Sequence, residues 1–214
     1  MASMLNKEEV LAQIERNVKI CQKCRLCKEA TNAVPGEGNI NAKIVFIGEA
    51  PGETEDKTGR PFVGRAGQLL EKALSKIGYK REDVWIGNII KHRPPQNRDP
   101  LPDEIEMCKP YLEMQLEAIN PVLIVTLGRF SMNYFIPDGK ISRDRGNVIR
   151  SGKYHVYPVY HPAAALRNPT MMQGFLDDFM GIPKVLVKIE NERENIKDTT
   201  DLTDQDDGQL GLGI

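Results

Sequence analysis

Apolar positions along this chain change period repeatedly, and each change marks an element. Residues 6–20 place Val10, Leu11, Ile14 and Val18 on one side, the mark of an amphipathic helix. The run KIVFIG, 43–48, is continuously apolar, as expected of a parallel strand covered on both faces. Leu69, Leu70, Ala73, Leu74 and Ile77 return to helical spacing over 66–77, and Gly78 closes that helix. A second strand is expected over 83–90 and a helix over 103–119, with Ile105, Leu112, Leu116 and Ile119 on its apolar side. A third strand follows at 121–127 and a short helix runs through Phe135. NVIR, a Ser-Gly-Lys turn and YHVYPVY read as a hairpin whose second arm is the fourth strand, and 173–187 forms the last helix. The alternation predicts a single-domain α/β fold, a central four-stranded parallel sheet with helices on both faces.

The connectors differ in kind. GEAPGETEDKTGRPFVGRAG is rich in glycine and carboxylates, whereas KHRPPQNRDPLP carries four prolines that forbid regular structure. From about residue 191 the chain is polar, acidic and poor in aromatics. The expected domain is therefore 1–190, with 191–214 a disordered acidic tail.

Composition narrows the class. At 214 residues, 40% hydrophobic and 28% charged, the chain has the balance of an ordinary soluble protein. No apolar run is long enough for a bilayer, and MASMLNKEEV lacks the basic-then-apolar order of a secretory signal. A cytoplasmic protein without membrane contact is expected. The net charge of −1 hides an asymmetry: from Glu190 onward eight acids face two bases, leaving 22 acids and 27 bases for the rest. A mildly basic body is compatible with a polyanionic partner.

Chemistry concentrates in loops that leave strand C-termini, where open α/β sheets bind ligands. GEAPGETED brings Glu49, Glu53, Glu55 and Asp56; NIIKHRPP brings Asn88, Lys91 and His92; YHPAAALRNP brings His161. A carboxylate, an amide and an imidazole at one mouth suit a pocket that reads a small planar polar ligand and handles developing charge. Of four cysteines, Cys21, Cys24 and Cys27 form C-x-x-C-x-x-C, a metal or iron–sulfur spacing, and Cys108 stands apart.

GEAPGETEDKTGRPFVGRAG, NIIKHRPPQNRDP, VTLGRF and YHPAAALRNP, in this order, resemble the iron–sulfur-containing (family 4) uracil-DNA glycosylases, from Cys21 to about Phe179. The resemblance implies an enzyme that flips uracil from single- or double-stranded DNA and hydrolyses its N-glycosidic bond, the first step of base excision repair. It places Glu49 beside the deoxyribose, to orient water and stabilise the cationic sugar. It places His161 as donor to uracil O2, Asn88 on the O4 and N3 edge, Phe62 on the base face, Ala50 beside the base and Glu55 near C5. Leu166 becomes the wedge into the stack and Arg167 a phosphate contact, with Lys91, Arg93 and Arg98 as further phosphate contacts. No lysine stands out as a Schiff-base nucleophile, which implies hydrolysis without strand cutting.

The family holds a four-iron, four-sulfur cluster. Cys21, Cys24 and Cys108 match three of its ligands, and the third position in sequence is His92. Cys27 is the rival fourth ligand, and a Cys₃His zinc site is the chemical alternative. The expected assembly is a monomer, with a weak sliding-clamp-like spacing at Gln209–Ile214 that lacks the usual aromatic pair. Two other readings remain: a relative that traps uracil-DNA covalently through a histidine on a basic insertion, and a non-enzymatic iron–sulfur nucleic-acid binder.

Overall fold

The computed structural model describes residues 6–203, with side chains through 193. Six strands form one sheet: β1 (Glu37–Gly38), β2 (Ile44–Gly48), β3 (Trp85–Asn88), β4 (Leu123–Leu127), β5 (Ile149–Ser151) and β6 (Tyr154–Val159), in the order β1-β3-β2-β4-β6-β5. The inner four strands are parallel, as the alternation predicts. The sheet differs from the four-stranded expectation at its edges. There β1 pairs antiparallel with β3, which was not expected, and β5 pairs antiparallel with β6 as the first arm of the expected hairpin. β1 is two residues inside a turn-rich connector, too short to leave a period-2 pattern.

Helices α1 (Lys7–Lys19), α3 (Arg65–Lys76), α4 (Pro102–Ile119), α5 (Arg129–Phe135) and α8 (Pro169–Thr203) lie close to their expected places. Asn6 caps α1 in a reciprocal box with Glu9, at 2.9 and 3.0 Å. Three short helices arise inside expected loops: α2 (Glu53–Thr58), α6 (Ile141–Asp144) and α7 (Pro162–Ala165). The first has acids in its opening turn, which favour a helix N-terminus, and ends at Gly59 in the left-handed conformation.

α8 also departs from expectation. It continues through Thr203, thirteen residues past the expected boundary at 190. Lys188 and Glu192 pair one turn apart across that boundary, so charge spacing carries the helix where apolar periodicity ends. The rest of the acidic tail, with Gln209–Ile214, lies outside the described residues.

Alternate residues of β2 face opposite layers. Ile44 and Phe46 pack with Leu70 and Leu74 of α3 and Phe175 and Phe179 of α8. Val45 and Ile47 pack with Cys108, Leu112 and Leu116 of α4. Both faces are covered, and every residue of β2, β3 and β4 is buried. No helix among the described residues is long and apolar enough to cross a membrane.

Candidate active site

The C-terminal ends of β2, β3 and β6 open on one cavity of about 540 Å³, within the range of small-molecule sites. Nine residues singled out in the sequence line it: Glu49, Ala50, Glu55, Phe62, Asn88, Arg98, His161, Leu166 and Arg167. So do Arg65 and Asp99.

Gly48 makes the space. A Cβ there would stand 2.4 Å from the Phe62 ring and 2.5 Å from Asn88 Oδ1. Asn88 is buried, and its Oδ1 has no hydrogen-bond partner among the described residues. A buried amide oxygen left unmatched is costly, so its partner is expected to come from a ligand. The Phe62 ring forms the adjacent wall, 6.0 Å from the His161 ring.

Phe62 adopts φ +50, a strained conformation for an aromatic residue, and several groups hold it there. Glu55 Oε1 accepts from the N–H groups of Val63 at 3.0 Å and Gly64 at 2.8 Å. Arg81 donates to the carbonyls of Pro61 and of Phe62, the latter at 3.0 Å, and is itself held by Glu37 at 2.8 Å. Gly67 lets the Phe62 carbonyl lie against α3, since a Cβ there would come within 1.8 Å of that oxygen. Arg81 is legible in the sequence only as a charge, because its partners lie 10 to 44 residues away.

The ionisable groups are tuned. Burial raises Glu49 to about 7; the Asp99 carboxylate adds to the rise and Arg129 opposes it. His161 caps α7, with Nδ1 accepting from the Ala163 N–H at 3.1 Å, so its proton sits on Nε2. Burial, then the Arg167 charge, lowers His161 to about 4, and the ring is neutral at pH 7.

Two expected phosphate contacts are placed otherwise. Lys91 is 1% exposed. Its Nζ donates to the Asn88 carbonyl at 2.9 Å and to Gln115 Oε1 at 2.8 Å, so it braces the pocket wall from behind and does not meet solvent. Arg98 forks onto buried Glu104 at 2.6 and 2.8 Å. Arg93 is half-buried beside Asn97 at 2.8 Å, outside the cavity. Leu166, 38% exposed, and Arg167 stand at the cavity mouth.

On the α4 side of the sheet, Cys21, Cys24 and Cys27 are half-buried and Cys108 is buried. Burial raises Cys24, and the neighbouring Cys21, Glu104 and Cys27 charges add to it. Cys108 is pushed up to about 11, mainly by burial, with Cys24 and Cys21 contributing; the Lys91 N–H donates to its Sγ at 3.3 Å and opposes the rise. His92 is buried with Nδ1 unpartnered among the described residues, and it shares a second cavity of about 430 Å³ with Cys21 and Cys27. The donor set therefore suits a thiolate-bound centre with one imidazole. Among the described residues no three His, Cys, Asp or Glu side chains stand together as a single metal ion requires.

A doubly wound sheet whose strand ends open on a small-molecule-sized pocket, walled by an aromatic ring and a buried amide oxygen without a partner among the described residues, defines a class of α/β proteins that bind a small polar ligand at their strand ends. Residues 35–180 match the uracil DNA glycosylase superfamily. The chain is 48% identical over 184 residues to the type-4 uracil-DNA glycosylase of Saccharolobus solfataricus, covering 81% of this chain and 85% of the relative. It is 47% identical over 189 residues to that of Archaeoglobus fulgidus, covering 84% and 95%. With the enzyme of Thermotoga maritima the identity is 49% over 169 residues, 77% and 88% of the two chains. The chain belongs to the uracil DNA glycosylase superfamily and, within it, to the type-4 group.

Proposed function

We propose that this protein is a monofunctional uracil-DNA glycosylase acting as a cytoplasmic monomer on uracil-containing DNA, at the entry to base excision repair. The observation that carries the reading is the unmatched Asn88 amide facing a cavity that Glu49 and His161 also line. Asn88 offers an acceptor to uracil N3–H and a donor to O4, and Phe62 stacks on the base face. Glu55 is committed to the Phe62 loop, so its contribution is to hold that ring at the edge of the pocket.

The chemistry follows from charge. Breaking the bond between C1′ and N1 leaves positive character on the sugar and a negative uracil. The ionised Glu49 carboxylate stabilises the first, orients the water whose oxygen joins C1′ and takes up the proton that water loses, which then neutralises the released uracil anion. The neutral His161 donates Nε2–H toward O2 of the departing base, an interaction stronger in the transition state than before it. Lys91, the lysine next to the pocket, has its amine engaged by Asn88 and Gln115, which favours water as the nucleophile. Leu166 fills the gap left in the stack, and Arg167, Arg65 and Arg93 meet phosphates.

The reading includes a four-iron, four-sulfur cluster held by Cys21, Cys24, Cys108 and His92, with Cys27 the rival to His92. Its contribution is to tie the N-terminal cysteine loop and the proline-rich loop to α4. Supporting this are the nearness of Cys21 to Cys24 and of both to Cys108, felt as charge at Cys24 and Cys108, and the unpartnered His92 nitrogen. Iron and sulfide content of His92→Ala and Cys27→Ala proteins tests the fourth ligand: the substitution that empties the site identifies it.

The activity is tested with a uracil-containing oligonucleotide followed by alkali. Multiple turnover with alkali-labile products is the expected result. A stable protein–DNA adduct would indicate the trapping chemistry, and binding without cleavage would indicate a non-enzymatic binder.

A further inference from the structure

The rim of the pocket carries an ion pair that the proposed chemistry does not use. Asp99 lies on the proline-rich loop and lines the same cavity as Glu49. Arg129, the first residue of α5, donates to Asp99 Oδ2 at 2.8 Å. Both partners are fixed from a second direction. Arg98 donates to the Asp99 carbonyl at 3.0 Å and is forked onto Glu104, which also accepts from the Leu101 N–H at 2.9 Å at the start of α4. The Arg129 guanidinium sits 4.3 Å from the centre of the Phe130 ring. An exposed carboxylate on the same cavity as Glu49 is thus paired with an exposed guanidinium just outside it.

We propose that Asp99 and Arg129 are positioning residues that shift, in opposite directions, the pH at which Glu49 takes its working, ionised form. The proposal rests on the catalytic reading of Glu49. Other charged groups around the cavity are Arg65 on α3, Arg98 on the proline-rich loop, and His161 and Arg167 on the loop after β6; Glu55 is engaged by backbone N–H groups. Asp99 and Arg129 are the two whose charges act on Glu49, and they act in opposite directions. Asp99 favours the protonated acid and Arg129 the carboxylate. Since Arg129 is also bonded to Asp99, the pair behaves as one dipole at the rim, and losing either end unbalances it. The arrangement delays ionisation of a carboxylate that must approach a polyanion, yet keeps the opposing charge within reach.

The test is the single-turnover rate of uracil release at saturating enzyme, followed from pH 5 to 9 at fixed ionic strength with the full chain. Asp99→Asn is expected to move the acidic limb to lower pH by about half a unit, and Arg129→Met to move it to higher pH by a similar amount, the size a partly screened charge produces. The double variant is expected to return close to the parental limb. A purely DNA-binding role would change the enzyme concentration at half-saturation and leave the limb in place. Parental limbs in both single variants, with Glu49→Gln slow, would overturn the proposal alone. Glu49→Gln at the parental rate would overturn the catalytic reading and the proposal with it.

Discussion

At pH 8 the Glu49 carboxylate is charged inside a wall that raises its pKa to about 7, mainly through burial. In the unfolded chain the same group titrates at its ordinary value, 4.5. The folded state therefore holds the extra proton between 4.5 and 7, and stability from this group falls as pH rises through that window. Glu49→Gln is expected to raise unfolding free energy at pH 8 by about 1–2 kcal/mol after allowance for partial solvation, and to change it little at pH 4.5. Urea denaturation at the two pH values reads this directly. The same variant should release uracil at least about 100-fold more slowly, as should His161→Ala. His161 runs the other way: lowered from 6.5 to about 4, it costs stability as pH falls through that range. Most residue roles were legible as types at strand ends. Lys91 was not, since a lysine reads as solvent-facing until Gln115 and Trp85 are seen to enclose it. Lys91→Met leaves the Asn88 carbonyl and Gln115 Oε1 buried without donors, so a loss of about 2–3 kcal/mol is expected by thermal or urea melts.

Among the elements, two glycines make room for the Phe62 wall. Gly48→Ala drives its Cβ against the buried Phe62 ring and Asn88 Oδ1. Uracil release should fall at least about tenfold, and the overlap with two buried side chains should lower the melting temperature as well. Gly67→Ala meets the Phe62 carbonyl, which is backbone and cannot swing aside. It should lower stability by about 1–3 kcal/mol and activity together. The apolar runs of β2 and β4 and the helical spacings of α1, α3 and α4 were legible because burial follows a local period. α2 and α7 were not, being six and four residues set by caps and tertiary contacts.

Across the whole molecule, α4 joins the two sites through one face. Glu104 holds Arg98 of the proline-rich loop, Cys108 accepts from the Lys91 N–H, and Gln115 grips Lys91 Nζ and the Pro35 carbonyl at 2.9 Å. The sequence marked only the apolar side of this helix; the partners of Glu104 and Gln115, 6 to 80 residues distant, needed the fold. If Cys108 ligates the proposed cluster, Cys108→Ser should lower iron content and melting temperature together; it also disturbs the contact with the Lys91 N–H behind the pocket wall, so uracil binding should weaken.

The sheet margins have their own consequence. β1 offers two residues and β5 three, and each lies antiparallel to an otherwise parallel ladder. A strand from another molecule would find almost no free row of amides and carbonyls to zip against. Such blunt borders work against growth of the sheet from one molecule into the next.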